Sequence, residues 1–139
     1  MEQIHATVID INGDGVLLRG PSGCGKSDLA LRLIDAGARL VADDRTDLAI
    51  SDGRVFASAP AGLSGLIEVR GVGIVSMAAL EKTPLALAVD LVGAADVERM
   101  PEPAKTDILG LALLLIRLAP FEASAPAKVR AALKFNVEL

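Results

Sequence analysis

The sequence has few of the residues that build disulfide-rich, metal-rich or nucleic-acid-binding proteins. It contains one cysteine, one histidine and three phenylalanines, and it has no tryptophan or tyrosine. A single cysteine excludes an internal disulfide and a cysteine-rich metal site. Its 14 basic and 18 acidic residues give a net charge of -4. Because no basic stripe is available to neutralise a run of phosphates, we expect no nucleic-acid partner.

Long uninterrupted hydrophobic runs are also missing, although 52% of the residues are hydrophobic. Segments such as LALAVDLVG and ILGLALLLIRLA are too short or too interrupted to span a bilayer. The N-terminal MEQIHATVID has no basic region followed by the apolar stretch of a secretory signal. We therefore expect a cytoplasmic protein with no membrane partner. The length of 139 residues predicts a single domain, residues 1–139.

Apolar runs separated by glycine-containing turns predict an α/β protein with a mixed central sheet and flanking helices. HATVIDI and GVLLRG read as a hairpin closed by the NGDG turn, and TDLAIS and RVFASA read as a second hairpin. A helix is predicted from Lys26 to a stop near Gly37, followed by the strand RLVADD. LALAVDLV is a predicted buried strand, and ILGLALLLIRLA fits a strand better than a helix. We expect loops over 60–75, around a short IEVRG strand, and at PEPAK, and a closing helix capped by Ser124.

The segment GPSGCGKS matches the pattern G-x-x-x-x-G-K-[ST], with a predicted strand before it and a predicted helix after it. Glycines let backbone N–H groups turn towards phosphates, and the helix N-terminus adds partial positive charge. In such a loop Lys26 reaches the β- and γ-phosphates, and the Ser27 hydroxyl is a ligand for Mg²⁺. The alternative is an ordinary glycine-rich turn. The predicted nucleotide-binding residues are Gly20, Pro21, Ser22, Gly23, Cys24, Gly25, Lys26, Ser27 and Asp28. Within them, Cys24 fits a small packing residue better than a redox switch, since a lone thiol has no resolving partner.

Two adjacent acids, Asp43 and Asp44, end the strand that follows the loop helix. An acid at this position holds Mg²⁺ in proteins with a phosphate-binding loop. A second carboxylate beside the transferred phosphoryl group can accept a proton from an attacking hydroxyl. The alternative for one of the two is a turn-capping role beside Arg45.

His5 is the only histidine, and the first predicted hairpin carries it. If residues 11 and 16 face each other across the turn, residue 5 lies opposite about residue 22. That register would put His5 at the mouth of the glycine-rich loop, where a histidine can orient phosphate oxygens. The alternative is a partly buried strand histidine with no chemical role.

The ordered segments H, GVLLRGPSGCGKSD, ARLVADDR and IEVRGVGI resemble the catalytic domain of the HPr kinase/phosphorylase family. The family's hallmarks are a G-x-S-G-x-G-K-S loop, an L-[IV]-A-D-D segment and an E-[IV]-R-G-x-G-I segment, and the likeness covers roughly residues 4 to 80. Members use ATP or pyrophosphate to phosphorylate a serine of the phosphocarrier HPr, many reverse this by phosphorolysis, and they are typically hexamers. The resemblance implies a P-loop kinase-like fold of the HPr kinase/PEP carboxykinase type, with ATP and Mg²⁺ as cofactors.

The resemblance also implies roles for individual residues. Asp43 becomes the general base, and the general acid of the reverse reaction, while Asp44 joins Ser27 as the metal partner; these two roles could be exchanged. His5 enters the active site. Arg70 would compensate charge on the transferred group, at a site edge formed with Glu68, Gly71 and Gly73. The alternative for Arg70 is a surface ion pair with Glu68.

The sequence also departs from the family pattern. Asp28 stands where the family usually has glutamate, and the bulkier N-terminal domain of family members has no counterpart, so we expect a minimal form. APFEASAPAK replaces the P-G-R-N loop, whose arginine is missing at the matching place; Arg117, Lys128 and Arg130 are the substitutes to consider. Two alternatives to a carrier-protein kinase therefore stay open. One is a small-molecule kinase, and the other is a nucleotide-sensing module that regulates a partner such as a sensor kinase.

Overall fold

The computed structural model describes residues 2–134, which form eleven strands, two α-helices and one short 3₁₀ helix. The helices are α1 (Lys26–Asp35) and α2 (Ala125–Lys134), and the 3₁₀ helix is Ala94–Asp96. The strands are β1 (Glu2–His5), β2 (Thr7–Ile11), β3 (Asp14–Arg19), β4 (Arg39–Ala42), β5 (Arg45–Ser51), β6 (Arg54–Ser58), β7 (Leu66–Val69), β8 (Gly73–Ser76), β9 (Lys82–Leu91), β10 (Ala104–Ile108) and β11 (Leu111–Leu118). Neither described helix has the length and apolar character needed to cross a membrane.

Nine strands form one mixed sheet in the order β1-β5-β6-β9-β3-β2-β4, with β11 joining β9 and β10 at the edge of β11. Strand β9 joins the two parts of this sheet. Its first residues pair antiparallel with β6, and its later residues run parallel to β3 on one side and to β11 on the other. Strands β7 and β8 form a separate hairpin. The predicted mixed α/β class is therefore confirmed.

The central strands are buried on both faces, so their apolar residues are consecutive. Ile9, Leu18 and Val89 face one core, which the helices cover with residues such as Leu29 and Val129. The neighbouring residues Val8, Leu17 and Ala88 face a second core, which is completed by β5, β6, β10 and β11. Because side chains alternate across a strand, the runs HATVIDI, GVLL and LALAV supply both cores.

The first hairpin is tighter than the predicted register. Ile11 pairs with Asp14, so the turn consists of Asn12 and Gly13 alone, and the expected pairing of residues 11 and 16 is wrong. Both turn residues have positive φ, of 52° and 94°, as a two-residue type I′ turn requires. Asp10 closes the turn by accepting a bond from the Gly13 N–H at 3.0 Å. This register carries β3 directly into the glycine-rich loop.

The second half contains two strands that the sequence pattern did not predict. IEVRGVGI lies within the β7–β8 hairpin, of which only the first strand was expected. The end of the predicted PEPAK loop belongs to β10, and ILGLALLLIRLA bends into a hairpin at Leu109 and Gly110 before continuing as β11. β10 escaped detection because it is a short edge strand with polar residues exposed at Lys105 and Asp107. The predicted strand character of LALLLIRL and the closing helix after Ser124 are confirmed.

Candidate active site

The glycine-rich loop, residues 20–27, connects β3 to the first turn of α1. Gly25 precedes the helix with φ 107°, a conformation that only glycine adopts readily. Its carbonyl accepts the first helical bond, from the Leu29 N–H at 2.9 Å. The N–H groups of the first helical turn have no partners within the helix, so they are available to an anion held by the loop.

Lys26 lies folded along its own loop. It is only 6% exposed, and its Nζ donates to the carbonyl oxygens of Gly20 at 2.7 Å and Pro21 at 3.2 Å. The ammonium group is therefore held inside the curve of the loop by the loop's own backbone. A phosphate oxygen entering this curve would replace one of these carbonyls as the acceptor.

Asp43 occupies the turn between β4 and β5, and its carboxylate is fixed by three donors. Oδ1 accepts bonds from the Ser27 hydroxyl at 2.6 Å and from the Thr7 hydroxyl at 3.0 Å. Oδ2 accepts a bond from the Glu68 N–H at 3.0 Å. Asp43 thus joins the glycine-rich loop, β2 and β7 at one point.

Asp44 differs from its neighbour in exposure and bonding. It has a φ of 65° and is exposed, and within residues 2–134 its carboxylate has no hydrogen-bond or ion-pair partner. Its backbone is nevertheless fixed, because its N–H donates to the Thr7 hydroxyl at 3.1 Å and its carbonyl accepts from the Ala6 N–H at 3.0 Å. The structure therefore presents a free carboxylate from a rigid turn.

Thr7 holds this turn and was missed by the sequence analysis. Its side chain is fully buried, and its hydroxyl donates to Asp43 while accepting from Asp44. The one available signal was a polar residue inside the otherwise apolar run ATVI. Such a residue needs buried partners, but the sequence does not say which ones.

A cavity of about 300 Å³ opens in front of the loop, and its wall has a polar and an apolar side. The apolar side consists of Leu31, Val69 and Phe121. The polar side carries charges of both signs together with loop residues: Ser22, Gly23, Gly25, Lys26, Ser27, Asp28, Asp44, Glu68 and Arg70. A cleft of this kind suits a ligand with an anionic end and an apolar end.

His5 does not line this cavity. It lies exposed at the end of β1, opposite Arg45, because the chain leaves the first hairpin at Ala6 and pairs with β5 instead. The predicted position opposite residue 22 is therefore wrong. The histidine still borders the turn formed by Asp43 and Asp44, which we call the acid turn, because the N–H of the next residue, Ala6, donates to the Asp44 carbonyl.

Arg70 lies at the rim, where β7 delivers it to the cavity together with Glu68. Within the described residues it makes no ion pair, so the alternative of a surface pair with Glu68 is wrong. The turn that follows contains Gly71 and Gly73, with φ of 86° and 126°. A free guanidinium at the rim can approach an anion in the cavity.

Cys24 packs inside the loop. A Cβ built on Gly20 would lie 2.5 Å from the Cys24 sulfur, so the thiol fills the space that the missing side chain leaves. Its N–H donates to the Pro21 carbonyl at 3.1 Å, which stabilises the bend of the loop. This packing agrees with the expected filler role.

Two further residues of the site were not predicted, Arg32 and Phe121. Arg32 on α1 pairs with Asp28 at 3.0 Å and donates to the carbonyls of Pro120 and Glu122. Phe121 then lies against the glycine-rich loop and lines the cavity. No short motif could have revealed this contact, because the two residues belong to opposite ends of the sequence.

The site offers a metal ion one hydroxyl and two carboxylates, those of Ser27, Asp43 and Asp44. Among residues 2–134 there is no group of three or more His, Cys, Asp or Glu side chains arranged to hold a metal. The Ser27 hydroxyl and the Asp43 carboxylate lie together, and Asp44 is in the same turn. Mg²⁺ commonly uses one or two carboxylates and completes its shell with water and substrate phosphates. The residues present therefore fit Mg²⁺ bound together with a nucleotide.

Comparison with known proteins agrees with this geometry. The family model described as "HPr Serine kinase C-terminal domain" matches residues 1–116. The chain belongs to this family. The HPr kinase/phosphorylase of Clostridium botulinum is 44% identical over 78 residues, which are 56% of this chain and 26% of that protein. The HPr kinase/phosphorylase of Clostridium kluyveri is 47% identical over 78 residues, which are 56% of this chain and 25% of that protein.

A solved structure extends the likeness to nearly the whole fold. The Hpr(Ser) kinase/phosphatase from Coxiella burnetii superposes with a TM-score of 0.84 at 26% identity, covering 96% of this chain and 89% of that one. By contrast, this HPr kinase family chain spans only about a quarter of the length of the curated Clostridium relatives.

Proposed function

We propose that this chain is an ATP- and Mg²⁺-dependent protein-serine kinase of the HPr kinase/phosphorylase type. Its substrate would be an HPr-like phosphocarrier protein of a sugar or nitrogen phosphotransferase system in the cytoplasm. The observation that carries the proposal is the 2.6 Å bond between the Ser27 hydroxyl and the Asp43 carboxylate, beside a cavity that also holds Lys26 and the free Asp44. Names of the Clostridium and Coxiella proteins support the same reaction class.

In this proposal the glycine-rich loop binds the ATP phosphates through Gly20, Pro21, Ser22, Gly23, Cys24, Gly25, Lys26, Ser27 and Asp28. Lys26 exchanges its carbonyl partners for β- and γ-phosphate oxygens. The positive end of α1 adds to this attraction. Arg70 at the rim compensates charge on the transferred group, and His5, outside the cavity, is retained as a candidate that would act on the acid turn.

Bound Mg²⁺ would neutralise part of the phosphate charge and fix the phosphate orientation. Ser27 would hold it with one of the two acids. The expectation from the sequence gave this role to Asp44 and the base role to Asp43, and left their exchange open. We propose the exchanged assignment. Asp43 Oδ1 already accepts a bond from Ser27, the other proposed metal donor, and its Oδ2 accepts one from the Glu68 N–H. Asp44, by contrast, has a free carboxylate facing the cavity.

The chemical step then requires a base beside the acceptor hydroxyl. The serine oxygen of the substrate attacks the γ-phosphorus of ATP, the bond from that phosphorus to the bridging oxygen breaks, and ADP leaves. The serine proton passes to the Asp44 carboxylate. The turn held by Thr7 keeps this carboxylate in place without occupying its oxygens.

We also propose a homo-oligomer, a hexamer as in the family. Apolar side chains are exposed in several places, and Val72 and Ile74 lie close together at the β7–β8 turn beside the site. Such a turn is suited to contact a neighbouring subunit or the protein substrate. Light scattering at micromolar concentration checks the oligomer, and a stable monomer would contradict it.

Incubation of the protein with labelled ATP, Mg²⁺ and HPr-like proteins tests the proposed function. We expect phosphoserine on the carrier, and none when the Lys26→Ala variant is used. The exposed Lys105→Ala variant, outside the cavity, is the matched control and should retain activity. Tight ATP binding without transfer would favour the nucleotide-sensing module that regulates a sensor kinase. Transfer to a small hydroxylated compound would favour the small-molecule kinase.

A further inference from the structure

The segment of residues 119–122, between β11 and α2, lies directly on the glycine-rich loop. A Cβ built on Gly25 would be 2.9 Å from the ring Cζ of Phe121 and 3.2 Å from the Cβ of Pro120. A side chain at residue 25 would therefore press on the Phe121 ring and make it shift. It would also be strained by the φ of 107°.

Arg32 fixes the position of the 119–122 segment. Its guanidinium donates to the carbonyls on both sides of Phe121, those of Pro120 and Glu122. Asp28, one turn earlier on α1, pairs with the same guanidinium at 3.0 Å and so orients it. A salt bridge of 3.2 Å also joins the Glu122 carboxylate to the Lys128 ammonium group of α2. With its backbone held on both sides, Phe121 has a defined place in the cavity wall.

The ring of Phe121 is not used to fill the core. The residue is 68% exposed, although the chain has only three phenylalanines. Its apolar neighbours in the cavity wall are Leu31 and Val69, whereas the loop beside it offers N–H groups and Lys26. An exposed aromatic face next to an anion-binding loop matches a ligand that carries a flat heterocycle on a phosphate chain.

We propose that Phe121 contacts the base of the bound nucleotide, by stacking its ring on the heterocycle, and that Arg32 is its positioning residue. The segment lies beyond residues 1–116, the part that the family model matches. The inference rests on the proposed function, because it requires the phosphates of the same ligand to occupy the glycine-rich loop. It adds a residue by which the site would bind a nucleotide more tightly than a polyphosphate that has no base.

Calorimetric titration of the whole chain with ATP and with tripolyphosphate, both with Mg²⁺, tests this inference. Tripolyphosphate provides the phosphate chain without a base. We expect Phe121→Ala to raise the Kd for ATP about tenfold, the range seen when a base loses an aromatic partner, and to leave the Kd for tripolyphosphate unchanged. Phe121→Leu should lose ATP affinity too, since it has no flat face, while Phe121→Trp should retain it.

Met100→Ala is the control, because Met100 is 80% exposed and lies outside the cavity wall. Equal weakening of ATP and tripolyphosphate by Phe121→Ala would overturn the inference, since the ring would then only support the loop. Unchanged ATP affinity in both Phe121→Ala and Phe121→Leu would also overturn it and leave the proposed function standing. If the wild-type chain binds neither ligand, the proposed function and this inference both fail.

Discussion

The two segments that meet at the cavity are held in different ways. The glycine-rich loop is shaped by bonds within itself, from the Cys24 N–H to Pro21 and from the Lys26 ammonium to Gly20. The 119–122 segment is held from outside, by Arg32 of α1. The proposed phosphate contacts therefore depend on a short local motif, whereas the proposed contact to the base depends on how distant parts of the chain pack.

The adjacent acids show the same contrast on a smaller scale. Asp43 has three donors on its carboxylate, whereas within residues 2–134 the Asp44 carboxylate has none. Hydrogen bonds to both of its oxygens fix the orientation of the Asp43 carboxylate beside Ser27, as neighbouring groups orient a metal ligand, whereas the Asp44 carboxylate is free to meet an incoming donor. One turn of the chain thus presents two carboxylates suited to different tasks.

The largest effect is expected for Lys26→Ala, which removes the cation at the centre of the loop. We expect the Kd for ATP to rise about 100-fold or more, because a cation contacting phosphate directly carries much of the binding. The melting temperature should fall slightly, since two loop carbonyls also lose a donor. Calorimetric titration with a parallel thermal melt measures both, and Lys105→Ala is the control. Wild-type affinity would contradict the assignment of the loop.

Substitutions of the two acids should affect different properties, the transfer rate in one case and the Mg²⁺ requirement in the other. Under the proposed assignment, Asp44→Asn keeps nucleotide binding but lowers transfer by roughly 100-fold, the usual contribution of a positioned base. Asp43→Asn should raise the Mg²⁺ concentration that is required, while part of the transfer survives at saturating Mg²⁺. Transfer rate against Mg²⁺ concentration for both variants measures this. The reverse pattern would restore the assignment expected from the sequence, and normal turnover of both would contradict the kinase proposal.

Substitution at Gly25 tests whether the two segments are coupled. We expect Gly25→Ala to destabilise the fold by about 1–3 kcal/mol, because its positive φ strains any side chain. The new Cβ also meets the Phe121 ring. Combining it with Phe121→Ala should remove the collision with the ring and leave only the destabilisation caused by the positive φ. Thermal unfolding of the two single variants and the double variant measures the difference, and strictly additive effects would show that the ring does not press on the loop.

The smallest effect is expected for Arg32→Lys, which keeps the charge but cannot make all the bonds of the planar guanidinium. We expect the Kd for ATP to rise about threefold, as for loss of one modest hydrogen bond, and that for tripolyphosphate to stay unchanged. Because Arg32 acts through Phe121, it should cost nothing further in a Phe121→Ala background. Titration of the double variant checks this, and a full additional loss there would show that Arg32 contacts the ligand itself.

Local sequence patterns were sufficient for the features that depend on neighbouring residues. They predicted the helix after the glycine-rich loop, both early hairpins and the strand that ends in two acids. Each depends on turn residues, capping or hydrophobic period within a few positions. The place of Asp43 and Asp44 beside Ser27 followed from the order of strand and helix alone.

Only the tertiary structure decided which distant residues meet. His5 left the expected register because a two-residue turn shifted β2 against β3 and the chain switched to β5 at Ala6. The partners of the Thr7 hydroxyl lie 36 and 37 positions away, and Arg32 reaches Pro120 across 88 positions. Such bonds form when separately encoded elements pack and leave one donor facing one acceptor. The sequence therefore determined the glycine-rich loop and its lysine, while packing decided which donors bond to each acid and which aromatic ring lies on the loop.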